Sequence, residues 1–90
     1  MKMVINSCYG GFSISEKAME MLDSTSPYEY GLRTDPQLIE VVETLGKEAN
    51  GMCANLEVVD IPDEITDYVI NEYDGYETVY YVLDGKIYTA

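Results

Sequence analysis

Residues 67–89 read DYVINEYDGYETVYYVLDGKIYT, and this stretch decides the fold. Two Asp-Gly dipeptides, Asp74-Gly75 and Asp84-Gly85, each separate runs of β-branched and aromatic residues. An Asp-Gly pair between such runs is typical of a tight β-hairpin, because both central residues of a type I′ turn need a positive φ. The stretch therefore predicts a three-stranded antiparallel meander over about 67–73, 76–82 and 86–89.

Strand alternation divides the side chains of the meander between two faces, and both faces are partly apolar. One face would carry Val69, Asn71, Tyr73, Tyr76, Thr78, Tyr80, Val82 and Ile87. The other would carry Tyr68, Ile70, Glu72, Glu77, Val79, Tyr81, Leu83 and Tyr88. We expect one face to pack on helices and the other to leave tyrosines exposed, which suits a protein interface or a homodimer. The alternative is that the phenol rings only border the core.

The residues before the meander predict a strand, two helices and a second strand. A β-prone run predicts a strand over 2–6, and a capping-box pattern followed by apolar residues at helical spacing predicts a helix over 14–23. Asp35-Pro36 predicts the start of a second helix over 36–49, which Asn50-Gly51 should end. A period of two then predicts a strand before Pro62. We therefore expect one domain of residues 1–90 in the α+β class, with the order β-α-α-β-β-β-β and two helices packed on one face of a mostly antiparallel sheet.

The chain is strongly acidic, and its charge is unevenly distributed. It has 17 Asp and Glu against 5 Lys and Arg, a formal net charge of −12, and no Lys or Arg between Glu48 and Asp84. Such a field repels nucleic acid and anionic membranes and attracts basic protein surfaces or cations. We therefore expect a protein with a basic surface or groove as the partner, and neither direct nucleic-acid binding nor a membrane.

A two-residue turn at Asp74-Gly75 would place Glu72 directly opposite Glu77, an arrangement of like charges that is locally destabilising. The functional interpretation is an acidic face that meets cationic side chains of a partner. Its predicted residues are Asp60, Asp63, Glu64, Asp67, Glu72, Tyr73, Asp74, Tyr76 and Glu77. Carboxylates at strand spacing approach the density of nucleic-acid phosphates, so such a face could compete for a groove lined by Arg and Lys. The alternative is that these side chains only splay into water.

Residue types that support catalysis or metal binding are scarce. Histidine is absent, which removes the commonest general base and the commonest zinc ligand. Residues 60–67 lack the ligand spacing and central glycine of an EF-hand loop, so we expect no metal and no cofactor. Cys8 and Cys53 are expected to be free thiols of a cytoplasmic protein, since no secretory or membrane-spanning segment is evident. The chain is predicted not to be an enzyme, and catalysis by Cys8 is the least favoured interpretation.

The glycine loop, residues 6–13, joins the first strand to the first helix and is the second candidate site. Its predicted ligand residues are Asn6, Cys8, Tyr9, Gly10, Gly11, Phe12 and Ser13. Backbone N–H groups ahead of a helix can hold an anion, so the alternative function is a module that binds or sequesters a small ligand such as a nucleotide. The loop matches neither the dinucleotide fingerprint nor the P-loop pattern.

Several short motifs resemble a family of small proteins encoded by bacteriophages and prophages. They are V-I-N-S-C-Y-G-G-F-S-I-S at 4–15, R-T-D-P at 33–36, L-G with A-N-G within 45–51, I-P-D at 61–63 and E-Y-D-G at 72–75. The resemblance covers nearly the whole chain and implies a phage origin. Together with the charge, it leads us to expect an acidic accessory protein that binds and inhibits a host protein in the cytoplasm of the infected cell. A nucleic-acid-binding defence enzyme is the partner that such an anti-CRISPR-like nucleic-acid mimic would fit.

Overall fold

The computed structural model describes residues 1–23, 32–65 and 67–90. Its elements in chain order are β1 (Lys2–Asn6), α1 (Glu16–Leu22), α2 (Pro36–Leu45), a 3₁₀ helix (Gly46–Ala49), β2 (Leu56–Asp60), β3 (Tyr68–Tyr73), β4 (Tyr76–Leu83) and β5 (Lys86–Thr89). The predicted α+β class and the order β-α-α-β-β-β-β are confirmed.

Side-chain caps fix where both helices begin. The Asp35 carboxylate accepts a hydrogen bond of 2.7 Å from the Gln37 N–H, and Pro36 is the first helical residue, as predicted. The Ser15 hydroxyl accepts a hydrogen bond of 3.1 Å from the Ala18 N–H, so α1 begins slightly later than the predicted residue 14.

The second helix ends earlier than predicted. It stops at Leu45, because Gly46 takes a φ of +57°, which a continuing α-helix does not allow. The chain then forms the 3₁₀ helix up to Ala49. The expected stop at Asn50-Gly51 therefore ends this 3₁₀ helix and not the α-helix.

The meander forms in the predicted register. The residue pairs that flank its two turns are Tyr73 with Tyr76 and Leu83 with Lys86. Both residues of each turn have a positive φ, with 50° and 90° at Asp74-Gly75 and 51° and 78° at Asp84-Gly85. The expected opposition of Glu72 and Glu77 across β3 and β4 is also present.

The strands form two sheets rather than the single sheet that we expected. β1 pairs with β2, and β3, β4 and β5 form the meander. One cluster of buried side chains joins Val4 and Leu56 of the first sheet to both helices. A second cluster joins Met3 and Ile5, on the opposite face of β1, to Val79 of β4. Among the described residues the meander therefore packs on the β1–β2 sheet and not, as predicted, on the helices.

Candidate partner-binding surface

Glu77 is buried inside the fold. The residue is 6% exposed, and its two carboxylate oxygens accept hydrogen bonds of 2.5 and 2.9 Å from the guanidinium group of Arg33. The Asn6 N–H donates a further bond of 2.8 Å to Oε1. A buried carboxylate needs such donors, because an isolated charge inside a protein is very costly. The charge of Glu77 is thus compensated within the chain, and this residue cannot join an exposed acidic face as the sequence had suggested.

Arg33 is fixed by contacts on several sides. Its carbonyl oxygen accepts a hydrogen bond of 2.9 Å from the Val4 N–H, which fastens the segment before α2 to β1. Its guanidinium carbon lies 3.8 Å from the centre of the Phe12 ring, in cation–π geometry. Phe12 therefore covers the buried ion pair of Arg33 and Glu77.

The glycine loop receives the tip of the hairpin between β3 and β4. The Gly10 N–H donates a hydrogen bond of 3.0 Å to the Asp74 carbonyl oxygen. A Cβ atom on Gly75 would lie 2.1 Å from the Gly11 nitrogen and 2.8 Å from the Gly10 nitrogen, so the two backbones are in direct contact. The hairpin turn thus lies against the backbone nitrogens of both loop glycines, where the sequence had suggested room for a ligand, while the Cβ side of Gly11 is open.

Asn6 links the glycine loop to two strands. It is fully buried, and its Nδ2 donates hydrogen bonds of 2.7 Å to the carbonyl oxygens of Cys8 and Gly75. Its Oδ1 accepts a bond of 2.8 Å from the Asn55 N–H just before β2. Both polar atoms of the side chain are therefore used within the fold.

The other predicted ligand residues of the glycine loop also make internal contacts. The rings of Tyr9 and Tyr76 lie 5.4 Å apart at the base of the hairpin tip. The hydroxyl of Ser13, which is 2% exposed, donates a hydrogen bond of 3.1 Å to the Met52 carbonyl oxygen. Cys8 is half-buried and its thiol is free.

The first group of predicted acids begins at Asp60, the last residue of β2, and two of its members contact the amino terminus. The Met1 amine donates hydrogen bonds of 3.0 Å to Asp60, 2.5 Å to Asp63 and 2.7 Å to the Ile61 carbonyl oxygen. The hydrogen bond to Asp63, and to a smaller degree the one to Asp60, raises the pKa of the amine. The bond from the amine to Asp63 also lowers the pKa of the Asp63 carboxyl group. The charges of Asp60 and Asp63 are thus partly balanced.

Of the other acids, Glu64 is exposed in the turn after β2, and the rest lie at two separate ends of the meander. Asp67 precedes β3 and Asp74 follows it, so six strand residues of about 3.3 Å each place them roughly 20 Å apart. Asp84 lies at the same end as Asp67, because β4 runs antiparallel to β3. Within the described part of the chain, no Lys or Arg lies within 4.0 Å of any of these three carboxylates. The acids therefore form two exposed ends rather than one face.

Glu72 lies near the end of the meander that carries Asp74, and its carboxylate accepts a hydrogen bond within the turn. Its Oε1 accepts a hydrogen bond of 2.5 Å from the Gly75 N–H inside the turn. Opposing carboxylates on β3 and β4 are thus tolerated because Glu72 caps the turn while Glu77 is paired with Arg33.

Between the two acidic ends, the outer face of the meander exposes large apolar side chains. The most exposed are Ile87 at 73%, Tyr73 at 70%, Val69 at 63% and Val82 at 56%. Tyr76 and Tyr80 are exposed to a smaller degree. A depression of about 380 Å³ lies among Val69, Tyr80, Val82 and Ile87. The predicted exposure of one tyrosine-bearing face is confirmed.

The sequence-based site contained only Tyr73 and Tyr76 from this face. It missed the aliphatic residues Val69, Val82 and Ile87, although the alternation of the strands had already placed them on the same face. We call the set Val69, Tyr73, Tyr76, Tyr80, Val82 and Ile87 the outer face from here on.

Comparison with protein-family models, with curated proteins and with solved structures found no match to this chain. Neither helix in the described part has the length and apolar character that would let it cross a membrane. In the same part of the chain, no group of three or more Cys, Asp or Glu side chains is placed to hold a metal ion.

Proposed function

We propose that this chain is a non-enzymatic module that binds a basic host protein through the outer face and inhibits it. The observation that carries the proposal is the exposure of several large apolar side chains on one sheet face. Val69, Tyr80, Val82 and Ile87 adjoin one another across the three strands. Exposed apolar patches with a polar rim mark interaction surfaces, and tyrosine contributes both apolar area and a hydroxyl group. The carboxylates at the two ends of the meander would speed the encounter with a positively charged partner.

The charge of the chain favours a partner that normally binds nucleic acid. Such enzymes carry grooves lined with Arg and Lys, which an acidic protein can occupy. The resemblance to phage proteins supports a bacterial host and an accessory role against a defence enzyme. Inhibition would follow from occupation of the groove, and Asp67, Asp74 and Asp84 would meet its cations.

The alternative of a nucleotide bound by the glycine loop has less support. The Gly10 N–H is already bonded to Asp74, and Gly75 occupies the space beside Gly11. The nearest cation, Arg33, is neutralised by Glu77. A phosphate group would thus find the Gly10 N–H already bonded, the Gly11 nitrogen covered by the Gly75 backbone, and the guanidinium group of Arg33 already paired.

Affinity capture from a bacterial lysate tests the proposal. The bait variants are wild type, Val69→Asp combined with Ile87→Asp, and the control Met52→Asp, which alters an apolar residue that is 87% exposed and lies between the 3₁₀ helix and β2. We expect wild type and control to retain the same Lys- and Arg-rich proteins at low salt, and the double variant to lose them. A purified captured nucleic-acid enzyme should lose activity when wild type is added. Equal capture by all three baits, or capture of acidic proteins, would contradict the proposal.

A further inference from the structure

The dimensions of the outer face fit one α-helix. Three strands span two inter-strand spacings of about 4.8 Å, which makes the face roughly 10 Å wide. This width matches the diameter of a helix with its side chains, about 10–12 Å. Along β4, the six steps from Tyr76 to Val82 make the face roughly 20 Å long, which corresponds to about 13 helical residues.

The chemistry of a sheet face also favours a helix over an extended segment. The N–H and C=O groups of β4 point toward β3 and β5, so a molecule bound on the face can contact only side chains. An extended segment that lay on this face would leave its own backbone groups without partners. A helix satisfies its backbone internally and can place an apolar stripe along Tyr76, Tyr80 and Val82 of β4 at no such cost.

The carboxylates at the two ends of the outer face indicate where a bound helix should carry positive charge. Asp74 lies at one end of the face, and Asp67 and Asp84 lie at the other, with Lys86 as the one basic side chain on the meander. The face would therefore bind most strongly a helix that carries Lys or Arg beyond each end of its apolar stripe. A second copy of this chain fits poorly, since it carries the same net charge of −12 and would bring like carboxylates together.

We infer that the outer face binds a basic amphipathic helix of the partner, about four turns long, with an apolar stripe along Tyr76, Tyr80 and Val82 of β4, contacts to Val69 and Ile87 on either side, and cations at both ends. The inference rests on the proposed function and specifies the element of the partner that is bound. The apolar stripe supplies the buried area, while the terminal cations fix the position of the helix along the face.

Fluorescence anisotropy with a labelled synthetic helix tests this inference on the intact chain. The probe is a peptide of about 15 residues with Leu at helical spacing and two Lys at each end. One control peptide has the same composition in an order that forms no apolar face, and another has Glu in place of Lys. We expect the probe to bind wild type and Met52→Asp equally. Val69→Asp and Ile87→Asp should each weaken binding by about tenfold or more, because each places a charge where an aliphatic side chain would be buried.

The outcomes separate the helix from the proposed function. If lysate proteins are captured through the outer face but the probe binds no better than its two control peptides, the helix is refuted and the protein-binding function stands. Binding that is unchanged by Val69→Asp refutes the location. Sedimentation equilibrium at micromolar concentration should show a monomer, and a dimer that Ile87→Asp dissociates would assign the face to a second copy and overturn the inference. Preference for the probe, loss in both variants and a monomeric chain together support it.

Discussion

Replacement of Glu77 by Gln tests the most unexpected contact of the fold. Gln keeps the size and shape of the side chain, and its amide oxygen can still accept the hydrogen bond from the Asn6 N–H. The substitution removes the negative charge that faces Arg33 and replaces Oε2, which accepts a hydrogen bond from Nη2 of Arg33, by an NH2 group that can only donate. The guanidinium group would then remain inside the protein, with its side chain 21% exposed and without a counter-ion.

The expected loss follows from this burial. Removal of one partner from a buried ion pair costs about 3–5 kcal/mol, because the other charge is left uncompensated. The partial exposure of Arg33 lets water reach its charge, so we expect the lower end, about 3 kcal/mol in the free energy of unfolding. A domain of this size has a total stability of roughly 5–13 kcal/mol, and the change would therefore be easy to measure.

Urea unfolding of three variants provides the measurement. Glu72→Gln is the matched control, since Glu72 lies directly opposite Glu77 but is exposed, and its change should stay within about 0.5 kcal/mol of wild type. Arg33→Met combined with Glu77→Leu should recover most of the loss, leaving about 1 kcal/mol for the Asn6 N–H that has no acceptor. Equal effects of the two Gln substitutions would refute the buried pair, and so would a loss in the double variant at least as large as the loss in Glu77→Gln.

Three further predictions address the hairpin tip, the amino terminus and the net charge. Gly75→Ala should lower the free energy of unfolding by about 1–3 kcal/mol more than Gly85→Ala. Both glycines have a positive φ, but only a Cβ atom on Gly75 would collide with the Gly11 backbone. Equal losses of the two variants in urea unfolding would contradict this contact. Asp63→Asn should lower the free energy of unfolding at pH 6, where both the Met1 amine and the Asp63 carboxylate are charged. The difference in this free energy between wild type and variant should shrink as the pH rises through the raised pKa of the amine, and also as it falls through the lowered pKa of Asp63. A difference that does not depend on pH would argue against the pair. The midpoint of thermal unfolding should rise between about 10 and 200 mM NaCl as the excess negative charge is screened, and a falling or constant midpoint would contradict this.

The parts of the fold that the sequence predicts are those fixed by neighbours along the chain. The hairpin register follows from Asp74-Gly75 and Asp84-Gly85, whose turn type admits only one pairing of the flanking residues. The start of α2 follows from Asp35-Pro36, in which one side chain caps the helix and the next needs no N–H donor. Each of these signals acts within a few residues and needs no tertiary contact.

The parts that the sequence left undetermined depend on contacts between distant residues. Arg33 and Glu77 are 44 positions apart, and no local pattern joins them. A usable signal existed, since the alternation of β4 places Glu77 on the same face as the buried Val79, and a charge on a core face requires a counter-ion. The division into two sheets is equally non-local, because it depends on which face of β1 meets the meander.

The opposition of Glu72 and Glu77 illustrates how a broken local rule can be explained by the fold. Judged from β3 and β4 alone, two facing carboxylates suggested a binding site. The contacts of Arg33 and of the Gly75 N–H account for both side chains without any partner. The outer face breaks no such rule, since polar and apolar positions alternate normally along its strands. Its apolar side chains are nevertheless exposed to solvent instead of packing in the core.

The net charge and the outer face act together on association. An exposed apolar face ordinarily promotes self-association, and the meander also has two strand edges. A net charge of −12 opposes contact between identical copies but favours contact with a basic protein. Because Asp67, Asp74 and Asp84 stand at the ends of the apolar area, this repulsion acts at the surface where two copies would meet. In the proposed function, the same carboxylates that oppose self-association would select a positively charged partner for the outer face.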